Sequence, residues 1–264
     1  MNRRKFIYNS SFASLSVMGL NSCNLLNNDV KLTILHTNDV HSQIEPFPLN
    51  HNEYPNRGGF ARRANIFKGL MKINPNTLIF DAGDIFQGTP YFNFFKGDLE
   101  LNLMKKMGYN AATIGNHEFD AGLKSLKKNI LNNNFQFISS NYNFDNTELE
   151  GLVSKYKVYK RQGIKIGVFG LGIELKGLVN SSLYKETKYY DPVEIAKEMT
   201  RKLKEEKKCD LIICISHLGH TYQNDKISDL KLGKLTSDID LIIGGHTHTL
   251  LKKPEIIKNS KNED

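Results

Sequence analysis

Cysteine is scarce, with 3 residues in a chain of 264. That argues against a disulfide-stapled scaffold and against a thiolate metal cage. Cys209 and Cys214 stand five apart in one expected strand, so their side chains are expected on opposite faces. They read as small buried apolar residues that do not bridge each other. Long hydrophobic runs are also missing. The nearest approach, Phe12 to Leu20, is too short and too rich in serine for a membrane span. No repeat recurs at a solenoid period. The net charge of +8 is not gathered into a patch, because the lysines are scattered over expected helix faces and the tail. Such scatter is a solvated surface, and no nucleic acid partner is expected.

What is present suits a folded α/β chain. Hydrophobic residues make up 39%, including 15 Phe and 11 Tyr, enough for a substantial core. Residues 1–22 read as an export signal. Arg3-Arg4-Lys5 precedes the short apolar stretch, as in twin-arginine signals. Leu20-Asn21-Ser22-Cys23 resembles a lipobox, which would make Cys23 the acylated first residue of a periplasmic or cell-surface protein. Asn21 fits that box poorly. Residues 23–30 then form a tether, and the only membrane contact expected is the lipid.

From residue 31 onward, β-like runs alternate with helix-like ones. Strands are expected at 31–36, 77–80, 110–114, 135–139, 156–161, 165–169, 210–215 and 239–243. The runs at 156–161 and 165–169 meet at Gly163 as a hairpin. Helices are expected from 58 to about 71, over 99–107 and 121–133, and within 223–235. Another starts at Asp191-Pro192 and runs to about Lys208, since Pro is well tolerated in a first turn. Residues 142–154 read as a loop, and the pattern says little about 171–190.

Five strand ends carry the chemistry. They present Asp39 and His41, Asp84, Asn116 and His117, His217, and His246 and His248. Each has an ordinary explanation alone: a capped turn, a tight Gly-Asp step, an H-x-H pair on one exposed strand face. Together they place five of the 8 histidines beside carboxylates at positions where open α/β sheets bind ligands. Imidazole nitrogen and carboxylate oxygen suit zinc, manganese or iron. The donors are too many for one tetrahedral ion and enough for two that share a carboxylate.

The ordered blocks D-x-H, G-D, G-N-H-E, H and G-H-x-H resemble the calcineurin-like metallophosphoesterases. Thr37-Asn38-Asp39-Val40-His41, Gly83 to Pro90 and Gly115 to Asp120 are similar to the bacterial 5′-nucleotidase branch. The resemblance implies a four-layer αββα sandwich with two mixed central sheets, formed by residues 31–264. It assigns Asp39, His41 and His248 to one divalent ion and Asn116, His217 and His246 to a second, with Asp84 bridging. His117 would face the substrate phosphate, and Asp120 would hold its far nitrogen. The chemistry agrees with these roles. Two divalent ions, two carboxylates and a hydroxide leave the site roughly one unit positive, which favours phosphate and readies a nucleophile. His117 is free to protonate the leaving oxygen, and Asp120 to set its tautomer. Asp120 could also be a plain helix cap, Asp81 reads as a turn carboxylate, and His220 as outer or surface. His36 and His51 read as structural.

The implied activity is hydrolysis of phosphomonoesters, nucleoside 5′-monophosphates first. Alternatives are a 2′,3′-cyclic nucleotide diesterase, a sulfur-oxidation hydrolase on the same scaffold, and a non-catalytic metal-binding surface lipoprotein. Full-length members of the branch carry a C-terminal domain whose aromatic residues and arginines grip the nucleotide. That specificity domain is expected to be absent here, leaving two readings: a longer chain, or a separately encoded C-terminal nucleotidase domain as partner.

Overall fold

The computed structural model describes residues 30–264, so the twin-arginine segment and Cys23 lie outside the described residues. Among the described residues no helix is long and apolar enough to cross a membrane.

Two sheets form the centre. The first contains β1 (Thr33–Thr37), β2 (Thr77–Asp81) and β3 (Ala111–Ala112), in that order and all parallel. A minor ribbon pairs β4 (Tyr142–Asn143) with β7 (Lys188–Tyr189). The second sheet runs β5 (Tyr156–Arg161), β6 (Ile164–Leu171), β8 (Leu211–Ser216) and β9 (Leu241–Gly244). The expected hairpin is there as the antiparallel β5–β6 pair, while β6, β8 and β9 run parallel.

The central strands β2, β6 and β8 are apolar on both faces, and period-two alternation sends successive residues to opposite sides of each sheet. Leu78 and Phe80 of β2, Ile166 and Val168 of β6, and Ile213 and Ile215 of β8 meet between the sheets. Ile79 of β2 points outward against α1 (Phe60–Ile73), α3 (Asp98–Met107) and α4 (Gly122–Asn133), through Phe67, Met104, Leu123 and Leu126. Phe169, Ile212 and Cys214 point outward from the second sheet against α6 (Pro192–Arg201) and α7 (Asp229–Leu235), through Met199 and Leu232. The layers are therefore helix, sheet, sheet, helix. Each fully buried Leu, Ile or Phe contributes roughly 1.5–3 kcal/mol to holding them together.

Local signals account for most element ends. Asp191 caps α6 by accepting from the backbone N–H groups of Val193 and Glu194. Two short helices, α2 (Pro90–Phe95) and α5 (Ser181–Tyr184), fill segments where periodicity is weak. Three expectations need correction. The helix expected to reach Lys208 is α-helical only to Arg201 and continues as a π turn over Lys202–Glu206. Residues 135–139 contribute only isolated bridges, Ala112 to Phe137 and Ile138 to Ser154. Cys209 precedes β8 instead of lying in it, so strand alternation does not separate it from Cys214. Both thiols are free and end in the same apolar cluster.

One buried group is out of place. Glu100 of α3 is fully buried, and neither carboxylate oxygen has a well-formed hydrogen bond, the Ser42 hydroxyl facing it in poor geometry. Burial raises its pKa above the ordinary 4.5, with the Ser42 hydroxyl opposing only in part. The folded chain thus holds a proton that the unfolded chain releases. This group's cost is absent below the unfolded pKa and grows as pH rises toward the folded one. Glu100→Leu is expected to stabilise the protein at neutral pH by about 1–3 kcal/mol in urea melts and to flatten that decline. A less stable Glu100→Leu would refute this account.

Candidate metal centre

The carboxyl ends of β1, β2, β3, β8 and β9 converge, and each candidate ligand follows its strand within a few residues. Asp39, His41, Asp84, His246 and His248 all take left-handed backbone conformations, with φ of 48°, 43°, 55°, 72° and 51°. Such φ values are uncommon outside glycine and persist where surrounding bonds enforce them. Here the β1 loop is tied to the β2 loop. Asp39 N donates to Gly83 O at 3.0 Å, His41 N to Asp84 O at 3.1 Å and Ser42 N to Ile85 O at 2.8 Å. The ordinary alternative for the H-x-H pair, two side chains on one strand face, does not apply. β9 ends at Gly244, and the turn after it sends the two histidines to different partners.

Three groups result, each with donor atoms within 4.8 Å of one another: Asp39, His41 and His248; His41, Asp84 and His117; Asp84, His217 and His246. Asp84 and His41 each belong to two of them, so the groups form one continuous cluster. The structure brings all six expected His and Asp ligands together. Asn116 lies at the same strand ends, and its buried Oδ1 has no hydrogen-bond partner. His220, paired with Glu255 at 3.3 Å, and His36 and His51 stand outside the cluster. Asp81 is the turn carboxylate expected. It accepts from Thr37 Oγ1 at 2.5 Å and from Gly83 N at 2.9 Å, and burial pushes it up to about 8.

The donor set fits cations. His41 Nδ1 faces Phe86 O at 3.2 Å and His217 Nδ1 faces Ala82 O at 2.6 Å. A carbonyl only accepts, so both rings carry the proton on Nδ1 and turn Nε2 into the cluster. There His41 Nε2 lies 3.1 Å from His248 Nε2, and His217 Nε2 lies 3.0 Å from Asp84 Oδ2 without a well-formed hydrogen bond. Nitrogen and carboxylate donors gathered this closely suit a cation placed between them. A side chain at Gly115 would overlap Asp84 Oδ1 and His217 Nε2, so only glycine leaves this space open.

Without an ion, the cluster balances its charge internally. Burial opposes charge on His217, but the Asp84 carboxylate outweighs it and lifts the imidazole to about 9. Burial likewise opposes ionisation of Asp84, and His217 holds it well below the usual carboxylate range. Burial and the His217 charge press His246 down to about 4, leaving it a neutral donor. His117 stands apart. Its Nδ1 pairs with Asp120 Oδ2 at 2.7 Å, which raises its pKa.

Glu118 had no role assigned from the sequence. It is fully buried and accepts from the backbone N–H groups of Asp84 at 2.9 Å, Ile85 at 2.7 Å and Gly115 at 2.6 Å. It therefore clamps the β2 and β3 loops together beneath the cluster. Burial pushes it up to about 7 against those donors. The only sequence signal was an acid within a Gly- and Asn-bearing turn, which does not say which turn it would bind.

Comparison with known proteins agrees with this geometry. The model of the calcineurin-like phosphoesterase family matches residues 32–250. The chain is 32% identical over 262 residues to the trifunctional nucleotide phosphoesterase protein YfkN of Bacillus subtilis, covering 87% of this chain and 17% of that one. It is 33% identical to the 5′-nucleotidase of Vibrio vulnificus, covering 87% of this chain and 43% of the other. The solved 5′-nucleotidase precursor of Thermus thermophilus superposes with a TM-score of 0.80 at 33% identity, over 88% of this chain and 47% of that one. The chain thus spans less than half the length of these relatives.

Proposed function

This chain belongs to the calcineurin-like phosphoesterase family, and from that premise we propose that it is a two-metal phosphomonoesterase acting on nucleoside 5′-monophosphates. The observation that carries the reading is Asp84, a buried carboxylate grouped with His41 and His117 on one side and with His217 and His246 on the other, while Asp120 holds the far nitrogen of His117. Asp39, His41 and His248 would hold one divalent ion and Asn116, His217 and His246 the other, with Asp84 shared. Zinc, manganese and iron all suit these donors. When bound, such ions supply positive charge for a phosphate and lower the pKa of water toward ~7. His117 binds no ion in this scheme. Asp120 fixes its Nδ1 proton and raises its pKa, so the ring keeps a proton on Nε2 for the departing oxygen.

The nucleotide preference is supported by the 5′-nucleotidase relatives. Base selectivity would come from the part of those relatives that this chain does not span, whether on a continuing chain or a separately encoded one. Arg3-Arg4 and the box ending at Cys23 support export and a lipid anchor.

The test is metal stoichiometry of the purified chain. It is combined with initial rates on AMP, an aryl phosphate, a 2′,3′-cyclic nucleotide and a thiosulfonate, with Mn²⁺ or Zn²⁺ added. Two bound ions and fastest turnover of AMP are expected. Faster turnover of the cyclic nucleotide or the thiosulfonate would shift the assignment to a sister activity. Two ions without hydrolysis would leave a metal-binding protein, and no metal uptake would refute the reading.

A further inference from the structure

Asp229 is the first residue of α7 and belongs to none of the donor groups. An acid in the first turn of a helix ordinarily faces water, where it complements the helix dipole. Ser228 already caps this helix, its hydroxyl accepting from Lys231 N at 3.4 Å. Asp229 is turned inward and is only 7% exposed, and its Oδ1 has no hydrogen-bond partner. Helix capping does not account for a buried, unpaired carboxyl oxygen, which costs stability.

The surroundings supply the reason. Ser216 ends β8 one residue before His217, and Gly244 ends β9 two residues before His246. These two residues are the last rung of the β8–β9 ladder. The carboxyl group of Asp229 lies against both. A Cβ at Gly244 would overlap Asp229 Oδ2, and the three atoms nearest to it all belong to this carboxyl group. The Ser216 hydroxyl faces the same group. Ser216 Oγ also accepts from Leu218 N at 3.2 Å and so spans His217. The backbone holds Asp229 in place: its N–H donates to Gly219 O at 2.8 Å, and that of Leu230 to His220 O at 3.3 Å. Beyond the rung the two loops are tied again, by His220 N donating to Thr247 Oγ1 at 2.9 Å. The imidazoles of His217 and His246 stand between these ties, with ring centres 5.1 Å apart.

We propose that Asp229 is a positioning residue for the second ion: wedged against Ser216 and Gly244, it sets the spacing of the loops that carry His217 and His246. Asp229 itself touches neither ion nor substrate. The inference rests on the two-ion reading above and adds a residue that acts through its ligands.

The test titrates Mn²⁺ into the wild-type chain, Asp229→Ala, Asp229→Asn, Gly244→Ala and the double variant, with free and bound ion read by electron paramagnetic resonance. Asp229→Ala is expected to weaken the second ion about 10–100-fold and to leave the first unchanged. Asp229→Asn, which keeps the shape of the carboxyl group, is expected to retain most of the second-ion affinity. Gly244→Ala displaces the same group and is expected to resemble Asp229→Ala. The double variant is expected to bind no more weakly than either single one, because the added methyl enters space that the carboxyl group has left. A second ion bound as in wild type by Asp229→Ala, folded by circular dichroism, would overturn the inference and leave the two-ion reading standing. Equal weakening of both ions would overturn it as well. If Asp229→Ala does not fold, Gly244→Ala decides in the same way. A wild-type chain that takes up fewer than two ions would refute the two-ion reading and this inference with it.

Discussion

Asp84→Asn is expected to reduce bound metal from two ions to one or fewer and to lower turnover on the order of 10³-fold or more. The substitution preserves shape. Asp84 Oδ1 accepts from His117 N at 2.9 Å, and an amide oxygen can keep that bond. What disappears is the negative charge between two cation positions, in a pocket where Asp84 is almost fully buried. Two divalent charges a few ångströms apart repel strongly once the intervening anion is gone. The change should also reach His217, whose pKa of about 9 in the ion-free chain depends on that carboxylate. In ion-free Asp84→Asn the imidazole is expected to titrate lower, visible in its ring proton shifts. Metal analysis, kcat and those shifts read the three effects separately. A folded Asp84→Asn that holds two ions at unchanged kcat would remove the shared carboxylate from the scheme.

His117→Ala is expected to lower kcat by about 10²–10⁴-fold while both ions remain bound. The contrast is His246→Ala, which should lose an ion as well as activity. Asp120→Asn is the subtler partner and is expected to cost about 10–100-fold. Its pH profile carries the sign. The hydrogen bond that His117 Nδ1 donates to Asp120 raises the His117 pKa, so the ring stays protonated to higher pH. A proton donor fails as pH rises through its pKa. Removing the Asp120 charge should therefore move the alkaline limb of the kcat profile to lower pH. Unchanged kcat in His117→Ala with two ions bound would show that another group serves the leaving oxygen.

Much of this site was legible in the chain because ligand chemistry is written in residue types. Asp39, Asp84 and the histidines stand next to strands that β-branched and aromatic runs announce, and a strand end is where an α/β sheet exposes side chains. The alternation in β8 likewise separates Ile213 from Ile212 without reference to the rest of the fold. Failures came where local pattern carries no information. Cys209 looked like an extension of the apolar run of β8, although Lys208 and Asp210 flank it and the chain still turns there after the π segment. Glu100 occupies an apolar position of α3, and polarity alone would place it in solvent.

The sequence by itself determined the inventory: which donors exist, which follow strands, and that imidazole and carboxylate predominate over thiolate. Tertiary structure alone decided how they are divided. Asp39 accepts from His246 N at 3.0 Å across a separation of 207 residues, and neighbouring histidines in one turn reach different donor groups. The left-handed turns and the Glu118 clamp likewise depend on contacts between strand-end loops that are far apart along the chain. Period and propensity act over a few residues, whereas a cluster of charges is assembled by contacts between segments that are distant along the chain.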